Sequence, residues 1–169
     1  PSLVSNSSFF LPYLSGERTP HNDPHIRGSF HAIKTTTDAT NMQYAVIEGI
    51  SFGILDGVNS ILKVNDNFEK IFMVGGGSRS SFWIELLASL LNRNLSVCDQ
   101  SEYGAALGVA RLAMHSDKSI QNNNIIKEIT TSKDYFPSSN KSDILMKRYQ
   151  IWKDLYSANK KIASNLISK

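Results

Sequence analysis

The chain has 169 residues, of which 41% are hydrophobic and 20% charged, so its length and composition suit one compact α/β domain with a proper core. Its formal charge of +3 is small, and its Lys and Arg residues are interspersed with nearly as many Asp and Glu, which gives no case for nucleic-acid binding. A single cysteine excludes an internal disulfide framework, and we find neither a signal segment nor a run of membrane length. We therefore expect a cytoplasmic protein that binds neither nucleic acid nor a membrane.

The first predicted strand, at residues 9–14, ends in a polar loop at residues 15–24 that is bounded by a glycine and prolines. Two interpretations of this loop compete. In one, Glu17 and Arg18 face a cleft as part of an active site. In the other, their charges stabilise a surface turn, and both kinds of loop are common.

Two sets of side chains could carry metal or thiol chemistry, and we expect neither to do so. His21, Asp23 and His25 lie close together in sequence, but nearby prolines exclude a helix that would place both histidines on one face. Cys98 lies in a predicted strand and has no basic partner that would make a reactive thiolate, so it is interpreted as a small buried residue.

A long amphipathic helix is predicted after a half-buried strand at residues 28–33, because apolar residues recur about every four positions from residue 39 to residue 62. Gly49, Gly53 and Gly57 fall at intervals of four, and each costs about 0.8–1 kcal/mol relative to Ala in a helix interior. We expect close packing against another backbone to offset this cost, in preference to approach of a ligand. The apolar stripe comprises Met42, Val46, Ile50, Ile54, Val58 and Ile61 or Leu62.

The stretch at residues 70–83 is the most informative, because a short apolar strand stops at Gly75, Gly76 and Gly77 and a helical pattern follows. Glycine allows positive φ and close approach of a ligand, while the first N–H groups of a helix have no internal partner. Such a helix start attracts anions, the macrodipole contributing about 0.3–1 kcal/mol for each nearby negative charge. On these residues alone, a nucleotide site and a tight turn without a ligand stay equally open.

A crossover unit is predicted next. Ser78 or Ser80 is expected to cap a helix at residues 81–92, and a short strand follows at residues 95–98. Strand, helix and strand within so few residues indicate a parallel or mixed sheet. A helix of small residues at 103–113 comes after it and can lie close to the sheet or to the partner half of a cleft.

The last third of the chain is predicted to contain one helix. Residues 116–142 carry no sustained period and are interpreted as a long surface connection. A final helix at about residues 143–166 places apolar residues on one face and its lysines mostly elsewhere, which indicates a solvated basic side. That apolar face comprises Leu145, Tyr149, Trp152, Leu155 or Tyr156, and Ile162.

Three motifs, in this order and spacing, resemble the C-terminal part of the FGGY carbohydrate kinases and, within that family, of the xylulokinases. They are LPYLSGERTPHNDP at residues 11–24, GGGSRS at residues 75–80 and GAALGVARLA at residues 104–113. A second family signature is similar to residues 28–48, with Ala32 where the pattern usually has Gly. The resemblance covers nearly the whole chain. It implies the actin and Hsp70 ATPase fold, a ribonuclease H-like α/β domain with a mixed sheet flanked by helices.

The resemblance also implies a nucleotide site. Gly75, Gly76 and Gly77, with Ser78 and Ser81, would lie against the adenosine and phosphates of ATP or ADP. The helix from residue 103 would pack behind this site at an interdomain hinge, and the loop with Glu17 and Arg18 would lie near the cleft without an assigned chemical step. Members of this family transfer the γ-phosphoryl group of ATP to a sugar, here D-xylulose, with Mg²⁺ balancing the phosphate charge.

By the same resemblance, the general base, the first phosphate loop, the sugar pocket and the metal-binding acid all precede residue 1. We therefore interpret residues 1–169 as one C-terminal domain of a longer kinase, without catalytic or metal-binding residues of its own and inactive towards xylulose alone. Two alternatives stay open: a sister kinase for gluconate or ribulose, and a domain of this fold that binds nucleotide or a protein partner without catalysis. A homodimer also stays open.

Overall fold

The computed structural model describes residues 7–64, 70–99, 103–117 and 129–167. A 3₁₀ turn, Gly76–Arg79, lies between the third strand and the second α-helix. The elements in chain order are β1 (Phe9–Leu11), β2 (Ser29–His31), α1 (Ala39–Leu62), β3 (Ile71–Met73), α2 (Ser81–Leu91), β4 (Leu95–Cys98), α3 (Gly104–Ser116), β5 (Thr131–Tyr135) and α4 (Ser139–Ile167).

These strands form two sheets. β1 and β2 pair antiparallel, with Phe10 opposite Phe30. The second sheet has the order β3-β4-β5, in which β4 is parallel to β3 and antiparallel to β5. α2 is the crossover between the two parallel strands, so the predicted crossover unit and the predicted mixed sheet are confirmed.

α1 has the predicted bounds but not the predicted buried face. It begins after Asp38, whose carboxylate accepts a hydrogen bond of 2.7 Å from the backbone N–H of Asn41. The predicted apolar stripe is half-buried or exposed, because the helix turns two carboxylates inward, where partners on α4 satisfy them. The buried residues are Tyr44, Ala45, Glu48, Gly49, Ser51, Phe52, Leu55 and Asp56.

α1 is also long and apolar enough to cross a membrane by length and composition alone. The expectation that no run reaches membrane length is therefore wrong on these criteria. In the structure the helix packs against β1, α2 and α4, and it holds the buried Glu48 and Asp56 inside the domain. This is the arrangement of a core helix.

Gly49 explains why α1 tolerates glycine in its interior. A Cβ built there would lie 2.1 Å from the carbonyl oxygen of Phe10, so the helix approaches β1 more closely than any side chain would allow. The nearest atom to a Cβ built on Gly53 is Cγ of Pro12 at an ordinary 3.7 Å, and a Cβ built on Gly57 meets no atom of the described residues within 4 Å. The predicted backbone packing is therefore confirmed at Gly49 and absent at Gly57.

α4 packs on the core through the middle of its predicted apolar face. It contacts β1, α1 and α2, and Leu145, Tyr149 and Trp152 are buried as predicted. The indole Nε1 of Trp152 donates a hydrogen bond of 2.8 Å to the carbonyl oxygen of Phe10. Both long helices thus pack on the backbone of β1.

The prediction is wrong at the end of α4. Ile162 is 57% exposed, whereas Asn159 and Ala163 are buried. The reason is polar: Asn159 Nδ2 donates a hydrogen bond of 2.7 Å to the carbonyl oxygen of Arg27, and this contact turns a different face of the last turns inward.

β5 lies within the stretch interpreted as a surface connection, and α4 begins at Ser139, so that interpretation is wrong for residues 131–135 and 139–142. The strand escaped detection because its side chains are exposed except for Tyr135, which leaves no hydrophobic alternation. It is held by pairing with β4 and by a hydrogen bond of 2.6 Å that Ser96 Oγ donates to Asp134. Residues 118–128 of the same stretch lie outside the described part of the chain.

Candidate functional site

The glycine loop, residues 75–77, lies directly beyond the carboxyl end of β3. Gly75 has φ +83°, a left-handed value that favours glycine. The backbone N–H of Ser78 donates to the carbonyl oxygen of Gly75 at 3.1 Å, and that of Ser80 donates to Gly77 at 3.2 Å. The loop is therefore a tight 3₁₀ turn that delivers the chain from a strand into a helix.

The serines after the loop have different roles. Ser80 caps α2, since its Oγ accepts a hydrogen bond of 3.3 Å from the backbone N–H of Trp83. Ser78 is buried, and its hydroxyl donates to the carbonyl oxygen of Gly75 at 2.7 Å, so it closes the turn from inside. Ser81 is exposed in the first turn of α2.

The glycine loop leaves room for a ligand on one side. A Cβ built on Gly75 or Gly76 would meet no atom of the described residues within 4 Å. A Cβ on Gly77 would lie 2.8 Å from Cζ3 of Trp83, so the third glycine is required by packing within the domain. Among the described residues, the first two glycines therefore leave the backbone open at the start of the 3₁₀ turn that precedes α2, and a ligand could approach it closely.

α3 begins beside this loop. The nearest atom to a Cβ on Gly104 would be Cβ of Val74 at 3.6 Å, and Val74 is the exposed residue that follows β3. None of the residues of α3 is buried, and Val109 and Leu112 are about two thirds exposed, at 67% and 66%. The predicted helix is confirmed, and it borders the glycine loop at its first turn.

The loop at residues 15–24 is closed by its own polar groups. Glu17 and Asp23 exchange two backbone hydrogen bonds of 2.8 and 2.7 Å, and the Glu17 carboxylate accepts a hydrogen bond of 2.7 Å from the backbone N–H of His21. These contacts correspond to the turn-stabilising interpretation of Glu17. Arg18 is exposed.

Asp23 ties this loop to α4. Its Oδ1 accepts hydrogen bonds from the backbone N–H groups of His25 and Ile26 at 3.0 and 3.1 Å, and its Oδ2 accepts one from the hydroxyl of Tyr156 at 3.0 Å. Burial opposes the ionisation of Asp23, but these hydrogen bonds and the nearby Lys160 outweigh it and lower the pKa of Asp23. The carboxylate is thus occupied in holding structure.

A buried polar cluster at α1 and α4 was missed by sequence reasoning. The hydroxyl of Tyr149 donates to Oδ1 of Asp56, Asn59 Nδ2 lies 3.4 Å from the same hydroxyl, and His21 Nε2 lies 3.7 Å from Oδ2 of Asp56. Burial, followed by the contact with Asp56, raises the pKa of Tyr149. The sequence signal that could have revealed this cluster is Asp56, a carboxylate within the largely apolar helix α1.

No group of three or more His, Cys, Asp or Glu side chains converges within the described ranges. Cys98, in β4, is half-buried and is a free thiol. Burial and the charge of Asp99 raise the pKa of this thiol. The open glycine loop is consequently the best candidate for ligand binding in the described part of the chain.

Comparison with known proteins gives an independent view. Residues 2–116 match the family model described as the FGGY family of carbohydrate kinases, C-terminal domain. A curated xylulose kinase of Staphylococcus epidermidis is 30% identical over 169 residues, which cover 98% of this chain and 34% of that protein. The chain spans about a third of the length of the curated relatives it matches.

Solved structures agree in fold. The alignment with the crystal structure of a xyloylose kinase from Brucella ovis covers 92% of this chain and 32% of the chain of that kinase, with 34% sequence identity and a TM-score of 0.79. The alignment with the crystal structure of a gluconate kinase from Lactobacillus acidophilus covers 89% of this chain and 31% of the chain of that kinase, with 29% sequence identity and a TM-score of 0.70. These matches confirm the predicted α/β fold.

Proposed function

The chain belongs to the FGGY family of carbohydrate kinases, as a C-terminal domain of that family, and from this premise we propose that it forms the nucleotide-binding side of an ATP-dependent xylulose kinase. The observation that carries the proposal is the glycine loop, in which Gly75 and Gly76 begin the 3₁₀ turn that leads into α2 and have no atom of the described residues within 4 Å of a built Cβ. A nucleotide is the ligand that this family premise and this geometry share.

Each residue of the candidate site has a role in this proposal. The backbone at Gly75 and Gly76 would lie against the adenosine and phosphates of ATP or ADP, and the exposed hydroxyl of Ser81 would face the nucleotide. Gly77 and Ser78 would hold the shape of the loop, because Gly77 packs on Trp83 and the hydroxyl of Ser78 donates a hydrogen bond to the carbonyl oxygen of Gly75. When bound, ATP supplies the γ-phosphoryl group that passes to D-xylulose to give D-xylulose 5-phosphate.

We propose that the other half of the chemistry lies outside these 169 residues. A carboxylate base for the sugar hydroxyl and the residues that hold Mg²⁺ would belong to a complementary sugar-binding domain, and closure of the two domains would exclude water. The support is that the chain spans about a third of the length of its curated relatives. On this view the isolated chain does not phosphorylate xylulose, and it works in the cytoplasm.

A second candidate is a sister sugar kinase. The gluconate kinase of Lactobacillus acidophilus is nearly as similar in identity and fold as the xylulose kinases. Because the sugar pocket would lie in the complementary domain, the glycine loop serves either substrate. Rates of the complete kinase with D-xylulose, D-ribulose, gluconate and glycerol decide between them, and a preference for gluconate would overturn the xylulose assignment.

The nucleotide site can be tested by titrating the purified chain with ADP in a calorimeter. In Gly76→Val the added Cβ would meet no atom of the described residues within 4 Å, so we expect binding to be lost while the fold is kept. Gly57→Val is the matched control, because a Cβ there also meets nothing within 4 Å but lies on α1. Gly77→Val is unsuitable, since it would press on Trp83.

The outcomes separate the alternatives. Binding by the parent chain and Gly57→Val but not by Gly76→Val supports the nucleotide site. Equal binding by both variants contradicts it. If the parent chain does not bind ADP, the same comparison on the complete kinase shows whether the complementary domain is needed or the glycine loop is only a turn. Turnover of D-xylulose by the purified chain alone would contradict the proposed division, and size-exclusion chromatography would detect a homodimer.

A further inference from the structure

Trp83 connects the glycine loop to α1. The six-membered part of its indole lies against Gly77, where a built Cβ would be 2.8 Å from Cζ3 and 3.3 Å from Cε3. At its other edge, Nε1 donates a hydrogen bond of 2.9 Å to Oγ of Ser51. The ring therefore bridges the loop and the central helix, although Trp83 itself belongs to the first turn of α2.

Ser51 gives this bridge a fixed end. It is fully buried on α1, and its Oγ donates a hydrogen bond of 2.7 Å to the carbonyl oxygen of Ile47. With its proton used in this way, the hydroxyl presents a lone pair to the indole N–H. The hydrogen-bond pattern thus fixes both the position and the rotation of the Trp83 ring.

Trp83 packs against the glycine loop at its third glycine. Among the described residues, no atom lies within 4 Å of a Cβ built on Gly75 or Gly76, whereas Gly77 rests on the ring. The hydroxyl of Ser78 and two backbone hydrogen bonds of 3.1 and 3.2 Å also hold the turn. A glycine-rich turn that loses a packing contact samples more conformations. Ordering them when the ligand binds costs conformational entropy, which weakens binding.

We propose that Trp83, held by Ser51, is a positioning residue that keeps the glycine loop in the conformation that receives the nucleotide. This inference rests on the proposed function. It assigns Trp83 no contact with the ligand: the ring acts through Gly77. This positioning requires the indole N–H as well as an apolar ring. A phenylalanine at residue 83 would supply an aromatic ring, but it could not donate the hydrogen bond to Ser51 that orients the ring against Gly77.

The test combines two variants with a ligand-free measurement. Trp83→Phe removes the N–H and part of the ring, and Ser51→Ala removes the acceptor and leaves the ring intact. Hydrogen exchange is followed at the backbone amides of Ser78 and Ser80, which close the turn. We expect about five- to tenfold faster exchange at these two amides in each variant, the effect of losing one hydrogen bond, with no change in the middle of α2.

Phe82→Leu is the matched control, because it changes the neighbouring, half-exposed aromatic residue of α2 without touching the bridge. ADP titrations of the same proteins give the consequence for binding. We expect the dissociation constant to rise about three- to tenfold in each single variant. The double variant should bind as weakly as Trp83→Phe alone, because both changes remove the same hydrogen bond.

Unchanged exchange at Ser78 and Ser80 in folded Trp83→Phe and Ser51→Ala would overturn the inference, even if the parent chain binds ADP. Faster exchange in both variants supports it. If the parent chain and the complete kinase both fail to bind ADP, the proposed function fails, and the exchange data still decide whether Trp83 orders the loop. Should Trp83→Phe not fold, Ser51→Ala, which keeps the ring, gives the deciding exchange rates.

Discussion

Arg148 on α4 holds the carboxylate of Glu48 on α1 through two hydrogen bonds of 2.6 Å, one from Nε to Oε1 and one from Nη2 to Oε2. Glu48 is only 1% exposed. The guanidinium also donates to the carbonyl oxygen of Ser8 and lies 4.4 Å from the centre of the Phe9 ring. Burial raises the pKa of Glu48, and the contacts with Arg148 and Tyr44 offset part of that effect.

Arg148→Met is expected to lower the free energy of unfolding by about 3–5 kcal/mol at pH 7, because it leaves a buried carboxylate without its partner. The loss should shrink at lower pH, where Glu48 takes up a proton and no longer needs the cation. Urea unfolding followed by circular dichroism measures it. The control is the double variant Glu48→Met, Arg148→Met, which should recover most of the loss; a double variant as unstable as the single one would contradict the prediction.

Gly49→Ala and Gly57→Ala should change stability in opposite directions, although both replace glycine in the interior of α1. At Gly49 the added Cβ would lie 2.1 Å from the backbone oxygen of Phe10, so helix and strand must separate, at an expected cost of about 1–3 kcal/mol. At Gly57 the described residues leave space for a Cβ, and alanine should raise the free energy of unfolding by about 0.5–1 kcal/mol. Thermal unfolding of both variants checks this, and a stabilising Gly49→Ala would disprove the close approach.

Asp23 should contribute to the acid sensitivity of the fold. Since the pKa of Asp23 is lowered in the folded chain, its contribution to stability is present above its ordinary value of 3.8 and is lost as the pH falls below it. Asp23→Asn should therefore be less stable than the parent at pH 7, and the difference should fade below about pH 4. Unfolding free energies at pH 7, 5 and 3 test this; a difference that stays constant with pH would exclude the carboxylate as its source.

Cys98 should react slowly with alkylating reagents. Burial and the neighbouring Asp99 raise the pKa of its thiol, so little thiolate is present near neutral pH. We expect iodoacetamide at pH 7.5 to modify the folded chain more slowly than the chain unfolded in urea. Mass spectrometry of timed samples measures both rates, with Cys98→Ser as the blank. Equal rates would mean that the folded chain does not protect the thiol.

Local chemistry let the sequence predict most of the elements. The bounds of α1 and β4, the crossover between β3 and β4, and the turn at the three glycines all depend on residues that are close in sequence. Caps, glycine turns and hydrophobic periods act over a few residues and can be recognised without a structure. The motif resemblance likewise gave the family, which the comparisons confirm.

The tertiary structure decided which faces are buried. Glu48 and Asp56 turn inward because Arg148 and Tyr149 form hydrogen bonds with their carboxylates. These partners lie about ninety to a hundred residues later in the chain, so the hydrophobic period of α1 cannot reveal them. β5 exists because β4 offers it a free edge, while its own side chains stay exposed. The sequence by itself determined where the chain turns and which family it resembles. Only the fold determined what supports the glycine loop, because packing joins residues that are distant along the chain.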